Sequence, residues 1–477
     1  MAQVSMTDAP KIEIIYGPPG TGKTSYLLSM MTTLGHDPDD IGFFSFTCAA
    51  AKVALDRLNI RRSATICTLH SLAFRLADAR KEQMVDKDKL QEMAKLTGYV
   101  FNGNGDIPEK GDELLAIHTF AEAAKVPLIN AWAEMRCDWP LLQVELVSEA
   151  YNRWKRANGY TDFNGILKDA AKNLDGIKKL GLKALFIDEA QDLSPIQWDL
   201  VHALVEESPQ TWIAGDDDQS LYLWAGSMRH GMRTYHERGV VKILDRSHRL
   251  PQRIHDVAEA IISQVKDRVP KTYAPKAEEG IVARWGELHF TNLPTADEDT
   301  LILYRNHSMR EDAENWLVEH LIPYQVQGPH QGLFRGLTAS AIRSLRRLQR
   351  GEEIGVSPFR ALCRTVFPSL RRDFNEGTFK KHLSKPWHEI VPCYDPIRFR
   401  YLNRVDLDMK PKVTLGTIHG SKGMEADRVI LMLGMGERTY ENFDDDEHRV
   451  FYVGATRAKH RLDVIDGPNP YPFPVRF

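Results

Sequence analysis

Residues 12–34 hold the segment that most narrows what this chain can fold into. Ile12-Glu-Ile-Ile-Tyr16 is a short apolar run, Gly17-Pro18-Pro19-Gly20-Thr21-Gly22-Lys23-Thr24 follows directly, and Ser25-Tyr-Leu-Leu-Ser-Met-Met-Thr-Thr-Leu34 reads as a helix. A strand, a GxxxxGKT loop and a helix in that order make a phosphate cradle. The glycines let backbone N–H groups converge on an anion, and the helix N-terminus adds a favourable dipole. Lys23 is expected to reach the β- and γ-phosphates of a nucleotide such as ATP, the Thr24 hydroxyl to coordinate Mg2+, and the loop from Gly17 through Ser25 to wrap the phosphates. A loop of this kind sits at the end of a parallel strand, so the expected fold class is α/β.

A second buried strand ending in acids should stand beside it. Ala184-Leu-Phe-Ile187 supplies the apolar run and Asp188-Glu189-Ala190-Gln191-Asp192 follows. Asp188 is placed to hold Mg2+ through its water shell, and Glu189 to act as general base toward an attacking water. The plainer alternative is an acidic helix start, since carboxylates favour first turns. A third run, Trp212-Ile-Ala214, leads into residues 215–226, GDDDQSLYLWAG. Gln219 is suited to orient a water or sense a terminal phosphate, and Tyr222 and Trp224 are flat surfaces on which a base can stack. With Asp188 and Glu189 in the metal-site roles, Asp216, Asp217 and Asp218 are left without one.

Hydrolysis at such a site needs a cation against the γ-phosphate beyond Lys23. Arg249 in LDRSHRLPQRI and Arg457 in YVGATRAKHRL are the two candidates, and an arginine supplied in cis from another domain would tie hydrolysis to domain closure. Between them, Thr417-Ile-His-Gly-Ser-Lys-Gly-Met-Glu425 is a small-residue loop suited to approach a ribose or a phosphate backbone.

At 477 residues the chain should divide into two to four domains. Its five cysteines form no CxxC pair, no apolar run reaches about 18 residues, and the N-terminus lacks a secretory pattern, which together suggest a reduced, cytoplasmic protein. The net charge of −3 gives no global reason to expect nucleic acid, but residues 341–405 hold fourteen Lys and Arg against six Asp and Glu. That basic stretch reads either as a phosphate-binding face or as a solvated helix.

The ordered set GPPGTGKT, FFSFTCAAA (43–51), TLHSLAFRL (68–76), LFIDEAQDLSPIQ, GDDDQSLYLWAG, SHRLPQRI, TIHGSKGMEADRVIL and YVGATRAKHRL resembles the superfamily 1 DNA helicases of the UvrD/Rep/PcrA type, from residue 17 to about 462. The resemblance implies two RecA-like P-loop domains with parallel sheets, each carrying an insertion. It implies that Lys23, Asp188, Glu189, Gln219, Arg249 and Arg457 serve catalysis, with the two arginines coming from the opposing domain and the cleft wall. His248 would lie against the nucleotide base and Glu425 against the ribose. Phe46, Thr47, His70, Tyr222, Trp224, Thr417 and His419 would line a single-strand track, with Tyr304, Arg305 and Asn306 on it by analogy. Three departures stand out. No LNxxQ element precedes the loop, so adenine selectivity is not implied; His248 replaces a tyrosine; and Ala225 replaces an arginine.

Motif spacing then divides the chain. Residues 1–75 and 166–245 form the expected first RecA-like domain and 76–165 a helical insertion. Residues 246–350 and 413–477 form the second domain and 351–412 a reduced basic insertion. The tail GPNPYPFPVRF (467–477) reads as an extended or frayed terminus, with a partner-binding segment as the alternative. The leading expectation is an ATP- and Mg2+-dependent helicase moving 3′ to 5′ on single-stranded DNA, acting on tailed duplexes as a monomer. The direction comes from the resemblance alone. A translocase that strips protein but unwinds poorly is the runner-up, and a non-catalytic DNA-binding module is a third class. Pathway, and DNA against RNA, stay open.

Overall fold

The structure, a computed structural model, describes residues 12–45, 48–103, 109–287, 298–328, 332–355, 358, 395–467 and 470–474. The expected track residues Phe46 and Thr47, the Trp224 side chain and most of the expected basic insertion lie outside the described residues. Two compact units are present: Met1–Arg249 with Asp267–Lys276, and Leu250–Lys266 with Ala277–Phe477. Residues 246–249 and 267–276, assigned to the second domain on motif spacing, thus fall in the first unit.

The first unit is built on a six-stranded parallel sheet. Its strands are β1 (Ile12–Tyr16), β2 (Ile41–Ser45), β3 (Ile66–Thr68), β4 (Ala184–Asp188), β5 (Gln210–Gly215) and β6 (Val240–Ile243), in the order β3-β2-β4-β5-β1-β6. Every residue of β1, β2 and β4 is buried, because helices cover both faces, and that is why these strands read as unbroken apolar runs. The edge strand β6 instead exposes Val240 and Val241. On one face Leu27, Leu28 and Met31 of the helix Lys23–Leu34 pack against Phe43, Phe186 and Trp212. On the other, Leu72, Ile166, Leu167, Trp198 and Leu204 close the core. Each fully buried Leu or Phe contributes about 1.5–3 kcal/mol.

Between Leu76 and β4 the chain makes the helices Lys87–Thr97, Lys110–Ala124, Leu128–Met135 and Leu141–Asn158. They carry a core of their own, with Leu90, Leu114, Ile117, Val144, Tyr151 and Trp154 at its centre. The next helix, Phe163–Lys172, is started by the Asp162 carboxylate accepting from Gly165 N and returns Ile166 and Leu167 to the sheet's core.

The second unit repeats the plan with β7 (Ile281–Trp285), β8 (Thr300–Tyr304), β9 (Tyr324–Val326), β10 (Val413–Thr417), β11 (Ala426–Met432) and β12 (Ala458–Ile465). All pair in parallel, in the order β7-β12-β11-β8-β10-β9. Two RecA-like α/β domains are therefore present, as the resemblance implied.

The tail corrects its sequence reading. Phe473 is 1% exposed and stacks on Phe451 with ring centroids 4.1 Å apart, while Phe473 N donates to Leu433 O at 2.8 Å. Two backbone hydrogen bonds and an aromatic anchor hold residues 471–473 against β11's end, so this part of the tail is docked rather than frayed. Among the described residues, no helix is long and apolar enough to cross a membrane.

Candidate nucleotide and nucleic-acid site

Sheet order gathers the first unit's motifs. The loops after β1, β4 and β5 leave the carboxyl ends of three adjacent parallel strands, where ligands of open α/β sheets bind. After β1, Gly17 N donates to Gly215 O at 3.0 Å and Thr21 Oγ1 to Pro18 O at 2.8 Å, which closes the loop on itself. A Cβ at Gly17 would stand 2.0 Å from Lys23 Cγ, so only glycine leaves room for the lysine to fold back over the loop. Lys23 Nζ there donates to Gly17 O at 2.8 Å. The helix Lys23–Leu34 starts from Gly22 with no side-chain cap, leaving its first N–H groups for an anion.

Across from the loop, the Thr24 hydroxyl donates to Asp188 Oδ2 at 2.7 Å. Burial and the adjacent Glu189 push the Asp188 carboxyl up to about 7, against Thr24 and Lys23, which favour its anion. A hydroxyl and a carboxylate form a hard oxygen pair suited to Mg2+, whose charge would favour the ionised carboxylate. Glu189 sits in the left-handed region at φ 55°, a strained position for a residue with a Cβ. Its carboxylate accepts from Gln191 Nε2 at 2.6 Å, and Gln191 Oε1 in turn accepts from Asp216 N at 3.0 Å. Gln191 therefore ties the end of β4 to the end of β5, a role the sequence reading missed although the residue stood inside its IDEAQD motif.

Gln219 Nε2 donates to Asp216 Oδ2 at 2.6 Å. Asp216, Asp217 and Asp218 are all fully buried and offer oxygens close enough together to ligate a cation. A protein cation fills that position. Lys271 Nζ lies 3.1 Å from Asp216 Oδ1 and 2.9 Å from Asp218 Oδ2, and also pairs with Asp217. Arg268 forks Asp218 at 2.9 and 2.5 Å, and Val269 N donates to Asp217 at 2.7 Å. Burial pulls the Lys271 ammonium's pKa down, but Asp216, Asp218 and Asp217 outweigh it and hold the group charged. Neither Arg268 nor Lys271 carried a sequence signal, because DRVPKTY is an unremarkable loop composition.

Arg249 also departs from its expected origin. It belongs to the first unit, and its segment lies along the phosphate loop: Ser247 Oγ donates to Pro19 O at 2.7 Å and His248 N to Gly20 O at 2.8 Å. A Cβ at Gly20, whose φ is 73°, would meet Arg249 Cβ at 2.4 Å. Arg249 thus stands beside the loop on its own unit rather than coming from the opposing one, while His248 is exposed next to it.

Two expected track residues belong to the same unit. His70, one residue into the helix Leu69–Leu76, meets Phe163 edge-on at 5.4 Å, and burial lowers its pKa. Tyr222 is half-buried, and its hydroxyl is pushed up to about 12 by burial, then by the charges of Asp192 and Glu189.

In the second unit, β8 and β10 are neighbours with Tyr304 opposite Thr417, and Ile418 N donates to Tyr304 O at 3.0 Å. Arg305, Thr417 and His419 are brought together this way. Arg305 forks Glu447, with both hydrogen bonds at 2.7 Å. Burial, then the charges of Arg305 and Lys422, hold the His419 pKa down to about 3. Asn306 is engaged locally, its Oδ1 accepting from Gly436 N at 2.8 Å. Tyr304 corrects its expectation: at 1% exposure it is part of the apolar core and offers no ring face to a base. Glu425 and Arg457 stand side by side where β11 and β12 begin, joined by Ala426 N donating to Arg457 O at 3.1 Å. Arg457 is buried and donates to Val453 O at 2.9 Å and Met424 O at 3.2 Å.

Comparison with known proteins follows the same division. The UvrD/REP helicase N-terminal domain matches residues 4–238, and the UvrD-like helicase C-terminal domain matches residues 396–466. The ATP-dependent DNA helicase PcrA of Leuconostoc citreum is 24% identical over 69% of this chain and 49% of its own length. The ATP-dependent DNA helicase UvrD2 of Mycobacterium bovis is 23% identical over 70% of this chain and 56% of its own. YjcD of Bacillus subtilis is 21% identical over 96% and 77%, respectively. The chain spans about half the length of the first two of these relatives.

Proposed function

The chain belongs to the UvrD/Rep family of helicases, and on that premise we propose that it is a DNA-dependent ATPase that moves 3′ to 5′ along single-stranded DNA and unwinds tailed duplexes as a monomer. The observation that carries the chemical half is the Thr24–Asp188 hydrogen bond beside an uncapped helix N-terminus and a folded-back Lys23. Lys23 would exchange the Gly17 carbonyl for β- and γ-phosphate oxygens. Thr24, with Asp188 through its water shell, would hold Mg2+, which when bound offsets phosphate charge. Glu189 would take the proton of the attacking water, Gln219 would orient that water or sense the γ-phosphate, and Arg249 and Arg457 would stabilise charge on the transferring group. Glu425 is assigned to the ribose and His248 to the base. Named relatives that are ATP-dependent DNA helicases support the substrate class.

The mechanical half rests on Tyr222, His70, Thr417, His419 and Arg305 as strand contacts. Bases would stack on aromatic faces while phosphates meet the polar groups, so that binding is sequence-tolerant. Ala225, exposed where relatives of this type carry an arginine, favours a second reading, in which the protein translocates and clears bound protein but separates duplexes weakly.

One experiment separates these readings: ATP hydrolysis with and without single-stranded DNA, and unwinding of 3′- and 5′-tailed duplexes, with Arg457→Ala as control. DNA-stimulated hydrolysis with unwinding from 3′ tails supports the helicase. Unwinding from 5′ tails alone overturns the polarity, and hydrolysis without unwinding at any tail selects the translocase. Hydrolysis indifferent to DNA rejects both.

A further inference from the structure

The chain enters the second unit at Leu250, returns to the first for Asp267–Lys276, and leaves again at Ala277. The returning stretch is anchored in the first unit by Lys271, a fully buried ammonium among three fully buried carboxylates. Its contact with Asp216 is the informative one. Asp216 divides its two oxygens, Oδ1 toward Lys271 at 3.1 Å and Oδ2 toward Gln219 Nε2 at 2.6 Å. Asp216 also donates its backbone N–H to Gln191, whose amide holds Glu189. Two side chains assigned to hydrolysis, Gln219 and Glu189, are thus connected to Lys271 through one aspartate.

We propose that Lys271 is a positioning residue for nucleotide hydrolysis: by clamping Asp216 it fixes the resting orientation of the Gln219 amide and the Gln191–Glu189 contact. This inference rests on the proposed ATPase reading. A structural salt bridge alone would need only balanced charge. The arrangement here goes further, because Asp217 and Asp218 have Val269 N and Arg268 as additional partners, whereas the Asp216 carboxylate is otherwise held by Gln219 Nε2 at 2.6 Å and Asp218 N at 3.3 Å. Shifting the ammonium therefore moves a carboxylate that holds the sensor. Second-unit sequence flanks the anchored stretch on both sides, so Lys271 is tied along the chain to that unit in both directions.

Testing this needs a variant that folds. Lys271→Met alone leaves buried carboxylates with one cation fewer, so it is compared with Lys271→Met/Asp217→Asn, which removes one charge of each sign and leaves Asp216 and Gln219 intact. Both are measured beside the wild type and Gln219→Ala for melting temperature, affinity for a fluorescent ATP analogue, and DNA-stimulated kcat and KM. The expected result is a double variant melting within a few degrees of wild type, with analogue affinity and KM within about threefold, and kcat reduced at least tenfold toward that of Gln219→Ala. A double variant that turns over at the wild-type rate overturns the inference and leaves the ATPase reading standing. So does a loss confined to nucleotide affinity, or a double variant that is unfolded. A wild-type protein that hydrolyses no ATP overturns both together.

Discussion

The Thr24 hydroxyl donates to Asp188 Oδ2 across 2.7 Å, although 164 residues separate them in the chain. The contact exists because β1 and β4 both end at the same edge of one parallel sheet, with β5 between them. A hydroxyl at a helix start and a carboxylate at a strand end meet there as a ready pair for Mg2+. Removing the cation with EDTA should stop hydrolysis, and Asp188→Asn should lower kcat by about 10²-fold or more while leaving the melting temperature unchanged or higher, because a buried, repelled carboxylate is replaced by a neutral amide. A variant that hydrolyses ATP at the wild-type rate would remove Asp188 from the site.

Glu189 pairs its proposed role as general base with backbone strain. Its φ of 55° disfavours a side chain, and its charge raises the pKa of Asp188. Asparagine tolerates the left-handed region better and carries no charge. Glu189→Asn is expected to stabilise the protein by about 1 kcal/mol and to abolish DNA-stimulated hydrolysis. Thermal unfolding and steady-state kinetics on one preparation check both halves.

The phosphate loop should resist enlargement at Gly20. Alanine there combines a φ of 73° with a Cβ 2.4 Å from Arg249 Cβ. A cost of about 1–3 kcal/mol is expected, with nucleotide affinity falling as the Ser247–Pro19 and His248–Gly20 contacts are pushed aside. Unfolding in urea with and without ATP gives both quantities.

His419 makes acid sensitivity calculable in sign. Its folded pKa is held near 3, below the ordinary value of 6.5. The unfolded chain binds a proton below pH 6.5 that the folded chain refuses, so its contribution to stability is complete above 6.5 and erodes as pH falls toward 3. The slope is roughly 1 kcal/mol per pH unit. His419→Gln should flatten the fall between pH 6 and 4 in denaturant titrations; an unchanged slope would assign the acid response to other groups.

Arg305 and Glu447 should behave as one unit. Both hydrogen bonds are 2.7 Å and Glu447 is 8% exposed. Glu447→Ala leaves a partly buried guanidinium without its fork and is expected to cost about 3 kcal/mol, with Arg305→Ala/Glu447→Ala costing less than the sum of the single changes by about 1–3 kcal/mol. A double-mutant cycle that closes to zero would deny the coupling.

Local pattern carried a good deal of this protein. Strands buried on both faces appear as unbroken apolar runs, and a glycine loop followed by a helix marks its own phosphate cradle, because these signals lie within a few residues of one another. For that reason the positions of Lys23, Thr24, Asp188, Glu189 and Gln219 could be read directly from the chain. Packing decided the rest, since it depends on residues far apart in sequence. Nothing in PYPFPV announced that Phe473 would stack on Phe451, and the apolar run ending in Tyr304 did not reveal that its ring is spent on the core. Arg249 could be recognised as a cation but not assigned to a unit, because a chain that crosses three times between units leaves no local mark of where it does so. Lys271 is the clearest case. A lone lysine in an ordinary loop acquires a role only when the fold buries it against three carboxylates 53–55 positions upstream, where burial without that pairing would be prohibitive.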